Sequence, residues 1–77
     1  MKVKVFSTNW CPYCTIVKDF LKENNIEFTE VNIGEDKAAA AEMMIKSGQQ
    51  GVPVIEVDNK IVIGFDKEKL KKLLNLK

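Results

Sequence analysis

The 77-residue chain contains no histidine and no arginine: its 12 basic residues are all lysines, set against 11 acids for a formal net charge of +1. Without imidazole, catalysis near neutral pH falls to cysteine, to a carboxylate or lysine with a displaced pKa, or to backbone dipoles. Without guanidinium, the usual bidentate clamp for phosphate or carboxylate is gone. The lysines are interspersed with acids and form no long single-sign block, so nucleic acid is not an expected partner. No apolar run approaches the roughly 20 residues of a membrane span, and the opening MKVKVF lacks the apolar stretch of a signal peptide. Residence in the cytoplasm, away from membranes, is the expectation.

Cysteine is scarce too, with only Cys11 and Cys14, and both lie in the stretch TNWCPYCTIVKDF, residues 8–20. In a reducing compartment such a pair is redox-active or metal-binding rather than a structural staple. At 45% hydrophobic and 30% charged, the chain can bury enough apolar surface to offset the cost of ordering. Its length allows one domain, residues 1–77, with one modest core. A monomer is expected.

Val3 and Val5, with Phe6 and polar residues between, alternate as a first strand that stops at Ser7-Thr8-Asn9. From Pro12 onward Ile16, Val17, Phe20 and Leu21 recur at helical spacing with Lys18, Asp19, Lys22 and Glu23 opposite, and Asn24-Asn25 is the stop. The stretch IEFTEVNI, residues 26–33, alternates imperfectly and reads as a second strand with a bulge or a shifted end. Alanine-rich EDKAAAAEMMIKSG, with acids in its first turn and Gly48 at its end, gives a second helix over about residues 36–47. VPVIEV and KIVI flank Asp58-Asn59, a pair able to enter the left-handed region that a tight hairpin turn requires. After Gly64 comes Asp66 as a cap, and Leu70, Leu73 and Leu74 mark the inner face of a last helix ending near Asn75. The order β-α-β-α-β-β-α implies an α/β fold: a parallel first pair joined by a helical crossover, a final antiparallel hairpin, and so a four-stranded mixed sheet flanked by three helices.

Proline at the first helical position puts Cys11 at the helix doorstep, facing the free N–H groups of the first turn, which carry roughly half a positive charge. Cys14, one turn inside, is expected to be more covered. Thiols at helix starts and in C-x-x-C pairs have pKa values of about 3.5 to 7.5 against about 8.5 for a free one. Cys11 is therefore the attacking thiolate and Cys14 the resolving thiol, and the backbone supplies the electropositive field that absent histidines cannot. Two thiols also suit soft metal ions, but two ligands cannot close a tetrahedral zinc site, and no metal centre is expected. A Cu(I) chaperone of the ferredoxin-like kind is the rival reading, and it requires two consecutive strands after the first helix.

WCPYC, followed some forty residues later by Val52-Pro53 and then by a glycine–aspartate turn before the last helix, resembles the glutaredoxin family of the thioredoxin fold over essentially the whole chain. The resemblance implies a thiol–disulfide oxidoreductase with Cys11 as nucleophile, Cys14 as resolver and a cis Val52–Pro53 bond. A cis bond there would expose the Val52 main chain beside Cys11, so that a substrate could pair as an added strand. It further implies a substrate- or glutathione-binding surface of Trp10, Pro12, Tyr13, Gly51, Val52, Pro53, Gly64, Phe65 and Asp66, with no tightly bound cofactor and glutathione as co-substrate. Its partners would be glutathione and disulfide-containing proteins. At a strand-to-helix turn Trp10 and Tyr13 cannot both point inward; Tyr13 is expected outside, while Trp10 is either core filler or docking surface. The Met43-Met44 pair reads as helix packing, and Lys18 and Lys22 as solvated surface.

Several positions depart from the usual glutaredoxin pattern. Thr8-Asn9 replaces a lysine, Gly51 a threonine, Ile63-Gly64 a double glycine, and Gln49 or Gln50 an arginine, each removing a charge, a hydroxyl or backbone room from the glutathione site. Ile63-Gly64-Phe65 partly echoes the SGF turn of NrdH-redoxins, without their usual tryptophan and arginine. By that likeness thioredoxin reductase would be the electron source and ribonucleotide reductase a client.

Overall fold

The strand Val3–Ser7 (β1) runs through the middle of a four-stranded sheet and is covered on both faces, so four of its five residues are buried whichever way they point. In the computed structural model, which describes residues 2–76, β1 is followed by α1 (Pro12–Glu23), β2 (Thr29–Asn32), α2 (Lys37–Ser47), β3 (Val54–Val57), β4 (Lys60–Ile63) and α3 (Lys67–Leu73). The sheet order is β2-β1-β3-β4; β1 and β2 are parallel, and the other two pairs are antiparallel. This is a thioredoxin-like fold. Helix α2 stands between β2 and β3, so the two consecutive strands demanded by the copper-chaperone fold are not there.

The two faces carry separate cores. Val3 and Val5 point to the side where Val17 and Leu21 of α1 and Leu70 of α3 close over Ile55 and Val62. Phe6 points to the other side and meets Ala39 and Met43 of α2 together with Val54. Truncating a fully buried residue here removes burial and leaves a cavity, so Leu21→Ala is expected to cost about 2–5 kcal/mol.

Two-sided coverage explains the imperfect alternation of residues 26–33. The strand is only Thr29–Asn32, an edge strand, and its end is shifted rather than bulged. Ile26 and Phe28 pack against the α1/α3 core, whereas Val31 and Ile33, of opposite parity, pack beneath α2. β3 likewise starts later than VPVIEV suggests, at Val54, because Pro53 has no N–H to give to a ladder.

Side chains and short turns finish the elements. Asp36 accepts the Ala39 N–H at 3.0 Å and caps α2 from outside, so the acids expected in that first turn stand just ahead of it. Gly48 ends the helix at φ 72°. Asn25 and Asn75 take φ values of 58° and 59° just beyond α1 and α3. In the hairpin turn only Asp58, not Asn59, takes the positive φ, and Asp58 is tied to Lys2 by a main-chain bond of 2.7 Å and a carboxylate bond of 2.9 Å.

On the α2 side, Lys46 lies 2.8 Å from both Glu42 and Glu56, and Lys4 lies 3.1 Å from Glu42. The hydrogen bond from Lys46, helped by that from Lys4, holds the Glu42 carboxyl below its ordinary value, while Glu42 and then Glu56 raise Lys46. A depressed carboxylate contributes stability above the ordinary carboxylate range and loses it as pH falls through the lowered value. A raised lysine contributes below its ordinary value and loses its share only as pH climbs past the raised one. Lys46→Ala is therefore expected to lower the urea midpoint at pH 7 by an amount worth about 1 kcal/mol or less. The gap from the parent should narrow toward pH 3, and a gap that stays constant from pH 7 to pH 3 would refute the pairing.

Candidate active site

Cys11 is the N-cap of α1. Its backbone is extended, at φ −149° and ψ 95°, and its Sγ accepts the N–H of Cys14 at 3.1 Å. The local sequence dictates this. Pro12 fits the first helical turn and has no N–H to compete, and no acid stands in that turn to offset its positive end. Cys14 sits one turn on with 1% of its surface exposed, its Cα 5.2 Å from that of Cys11, and the two sulfurs are joined as a disulfide. Cys11 itself is only partly buried. One sulfur can be reached from outside and the other waits behind it.

Sheet register gathers the remaining residues at this end. Val54 pairs with Phe6, so Val52 and Pro53 lie alongside the end of β1 and the Thr8–Trp10 loop. The Val52–Pro53 bond is cis. Pro53 is buried, and the main-chain N–H and C=O of Val52 have no hydrogen-bond partner among the described residues. Val54 also pairs with Ile63, and the Pro53 carbonyl accepts the Gly64 N–H at 2.8 Å, which fastens the Gly64–Asp66 corner to the same end. Gly64 has φ 73°, where a side chain would be strained. Asp66 caps α3 by accepting the Lys69 N–H at 3.2 Å. The Phe65 ring turns to the core and meets Phe20 edge-on, with centroids 5.7 Å apart. Of the aromatics near Cys11, Trp10 is the more exposed, at 91% against 62% for Tyr13, so it is not core filler. Met43 is buried as helix packing requires, but Met44 is exposed.

Two features carry no sequence signal beyond composition. Lys18, which reads as plain surface, donates to Glu30 Oε2 at 2.7 Å, and the buried Ser7 hydroxyl donates to the same oxygen at 2.9 Å. Lys18, first of all, holds the Glu30 carboxyl below its ordinary value. Both line a polar cleft of about 570 Å³ that also borders Cys11, Pro12 and Thr15. The lysine nearest the thiols along α1 is thus already neutralised. The second feature is the Gln49 side chain, folded back on Gly51.

The sequence profile of the glutaredoxin family matches residues 3–62. The chain belongs to the glutaredoxin family. Within it, the chain is 43% identical over 72 residues to an uncharacterized glutaredoxin-like 8.6 kDa protein in the rubredoxin operon of Clostridium pasteurianum, covering 94% of this chain and 96% of that one. It is 39% identical over 71 residues to the glutaredoxin-like protein NrdH of Lactococcus lactis, covering 92% and 97%. In structure it resembles a mutant of the thioredoxin-like protein BC3987 with a TM-score of 0.93 at 37% identity, over 99% and 97% of the two chains. This glutaredoxin-family member is therefore a redox protein of the thiol–disulfide exchange type, carrying a Cys11–Cys14 pair.

Because Trp10 is the sole tryptophan and stands in solvent, its fluorescence should respond to acrylamide nearly as a free indole does. Trp10→Ala should change folding stability by no more than about 0.5 kcal/mol. Shielded emission, or a large loss of stability, would mean that the ring is packed.

Proposed function

We propose that the protein reduces disulfides of proteins, or mixed disulfides with glutathione, through a two-step exchange at Cys11 and Cys14. The observation that carries this is the Cys11 sulfur capping α1 and accepting the Cys14 N–H. In the dithiol form the same donor and the helix dipole favour the Cys11 thiolate. The thiolate attacks one sulfur of the substrate disulfide, forming a Cys11 mixed disulfide and expelling the other sulfur as thiolate, which takes a proton from water. Cys14 then gives up its proton and attacks Cys11 Sγ, releasing the second substrate thiol and leaving the Cys11–Cys14 disulfide; the substrate gains two electrons and the protein loses two. A low Cys11 pKa serves both steps, as attacking anion and as leaving group.

The free main chain of Val52 provides sequence-tolerant docking for the segment that carries the target sulfur, by the added-strand mode. Trp10, Pro12 and Tyr13 on one side, with Gly51, Pro53 and the Gly64–Asp66 corner on the other, form the proposed surface around it. No resident metal or cofactor is needed, and glutathione is a co-substrate. We read the chain as one domain acting as a monomer in the cytoplasm; among the described residues no helix is long and apolar enough to cross a membrane.

A second reading is favoured by the likeness to NrdH and by the pairing of Lys18 with Glu30. Glutathione bears two carboxylates, and the lysine lining the Cys11 cleft is already engaged. In this reading a thioredoxin reductase supplies the electrons and a ribonucleotide reductase receives them. Cys11→Ser is expected to abolish disulfide reduction, and Cys14→Ser to accumulate a mixed disulfide on Cys11 detectable by mass spectrometry. A Cys11→Ser protein that still turns over would remove the mechanism. Faster reduction by glutathione than by thioredoxin reductase supports the first electron source, and the reverse supports the second.

A further inference from the structure

The loop that leads into Pro53 is held by one side chain. The Gln49 carboxamide oxygen accepts the Gly51 N–H at 2.6 Å, and its nitrogen donates to the Gly51 carbonyl at 3.0 Å. The same nitrogen lies 3.3 Å from the Ser47 hydroxyl, which itself donates to the carbonyls of Met43 at 2.6 Å and Gln49 at 3.0 Å. Both main-chain polar groups of Gly51 are therefore closed by a side chain two residues back, and the closure is anchored to the last turn of α2. Gly51 suits this arrangement because a Cβ there would stand 2.8 Å from the Gln49 Oε1, close enough to force the carboxamide to shift. Immediately after it, the Val52 N–H and C=O are left open among the described residues.

We infer that Gln49 is a positioning residue that fixes this loop in one conformation, so that the open main chain of Val52 stands ready for an arriving disulfide segment. This rests on the reading of Cys11 as nucleophile with docking beside it. Consecutive residues of an extended chain turn their main-chain groups to opposite edges, so closing Gly51 on Gln49 leaves the Val52 edge free. With Gln49 in place the loop is held before the substrate arrives, and the ordering cost at docking is lower.

The test uses the pre-reduced full chain in single-turnover reduction of insulin, read as a half-saturating concentration and a limiting rate. Alkylation of Cys11 by iodoacetamide, which needs no docking, is the control. Gln49→Ala should raise the half-saturating insulin concentration roughly three- to tenfold, the worth of a neutral hydrogen bond, while the limiting rate and the alkylation rate stay within about twofold. Gln49→Glu, which keeps an acceptor for the Gly51 N–H but sets a second acceptor against the Gly51 carbonyl, should shift half-saturation in the same direction. Unchanged half-saturation in Gln49→Ala, parent-like half-saturation in Gln49→Glu, or an equal fall in insulin reduction and alkylation would each overturn the proposal. Loss of insulin reduction in Cys11→Ser alongside any of these would leave the redox reading standing, whereas an active Cys11→Ser would remove that reading itself.

Discussion

The contact between the Cys11 sulfur and the Cys14 N–H is the constraint on which the rest of the site depends. It makes a cysteine do the work usually given to serine, threonine or aspartate at a helix start, and sets that sulfur against the positive end of the helix. In a chain without histidine there is no side-chain base to activate a thiol, so the field must come from peptide groups. Pro12 contributes by fitting the first turn without an N–H of its own, and the lack of an acid in that turn keeps the field undiluted. The 3.6-residue period then sets Cys14 under Cys11, close enough for the sulfurs to bond.

The fold serves this contact by bringing three distant segments to one end of the sheet. Because β1 and β3 are antiparallel, the strand that ends before Cys11 lies beside the strand that begins after Pro53. β4 runs back along β3 and delivers Gly64–Asp66 to the same rim, tied there by the Gly64 N–H on the Pro53 carbonyl. Cores on both faces hold these strands in place, α1 and α3 closing one and α2 the other. At this rim the exposed Trp10 and Tyr13 flank Cys11 in the chain, Asp66 caps α3, and Lys18 is matched to Glu30.

Most of the architecture was legible because it rests on local rules. The helix starts at Cys11 and Asp66, the stops at Asn25 and Gly48, and the hairpin at Asp58 are each written within a few residues of the chain, whereas Asp36, expected inside the first turn of α2, caps it from outside. The cysteine spacing and Val52-Pro53 marked the core of the site. What was not legible is non-local or ambiguous in kind. Apolar residues at 26–33 serve two opposite cores, so alternation could not give the bounds of β2. The Ser7–Glu30–Lys18 group spans 23 residues and forms only because Glu30 registers with Val5 beside Ser7. Gln49 closes on Gly51 within a single turn, yet glutamine has no strong turn preference to announce it. Trp10 could not be placed because a strand-to-helix turn does not say which of its side chains finds a packing partner, and its ring finds none that covers it.

The most direct test of the central claim is the ionisation of Cys11 in the reduced protein, followed by thiolate absorbance near 240 nm or by the pH dependence of its alkylation with Cys14 replaced by serine. A sulfur held by the first turn of α1 should titrate well below the roughly 8.5 of a free cysteine, inside the range of about 3.5 to 7.5 found at helix starts. A value at or above that of free cysteine would contradict the account.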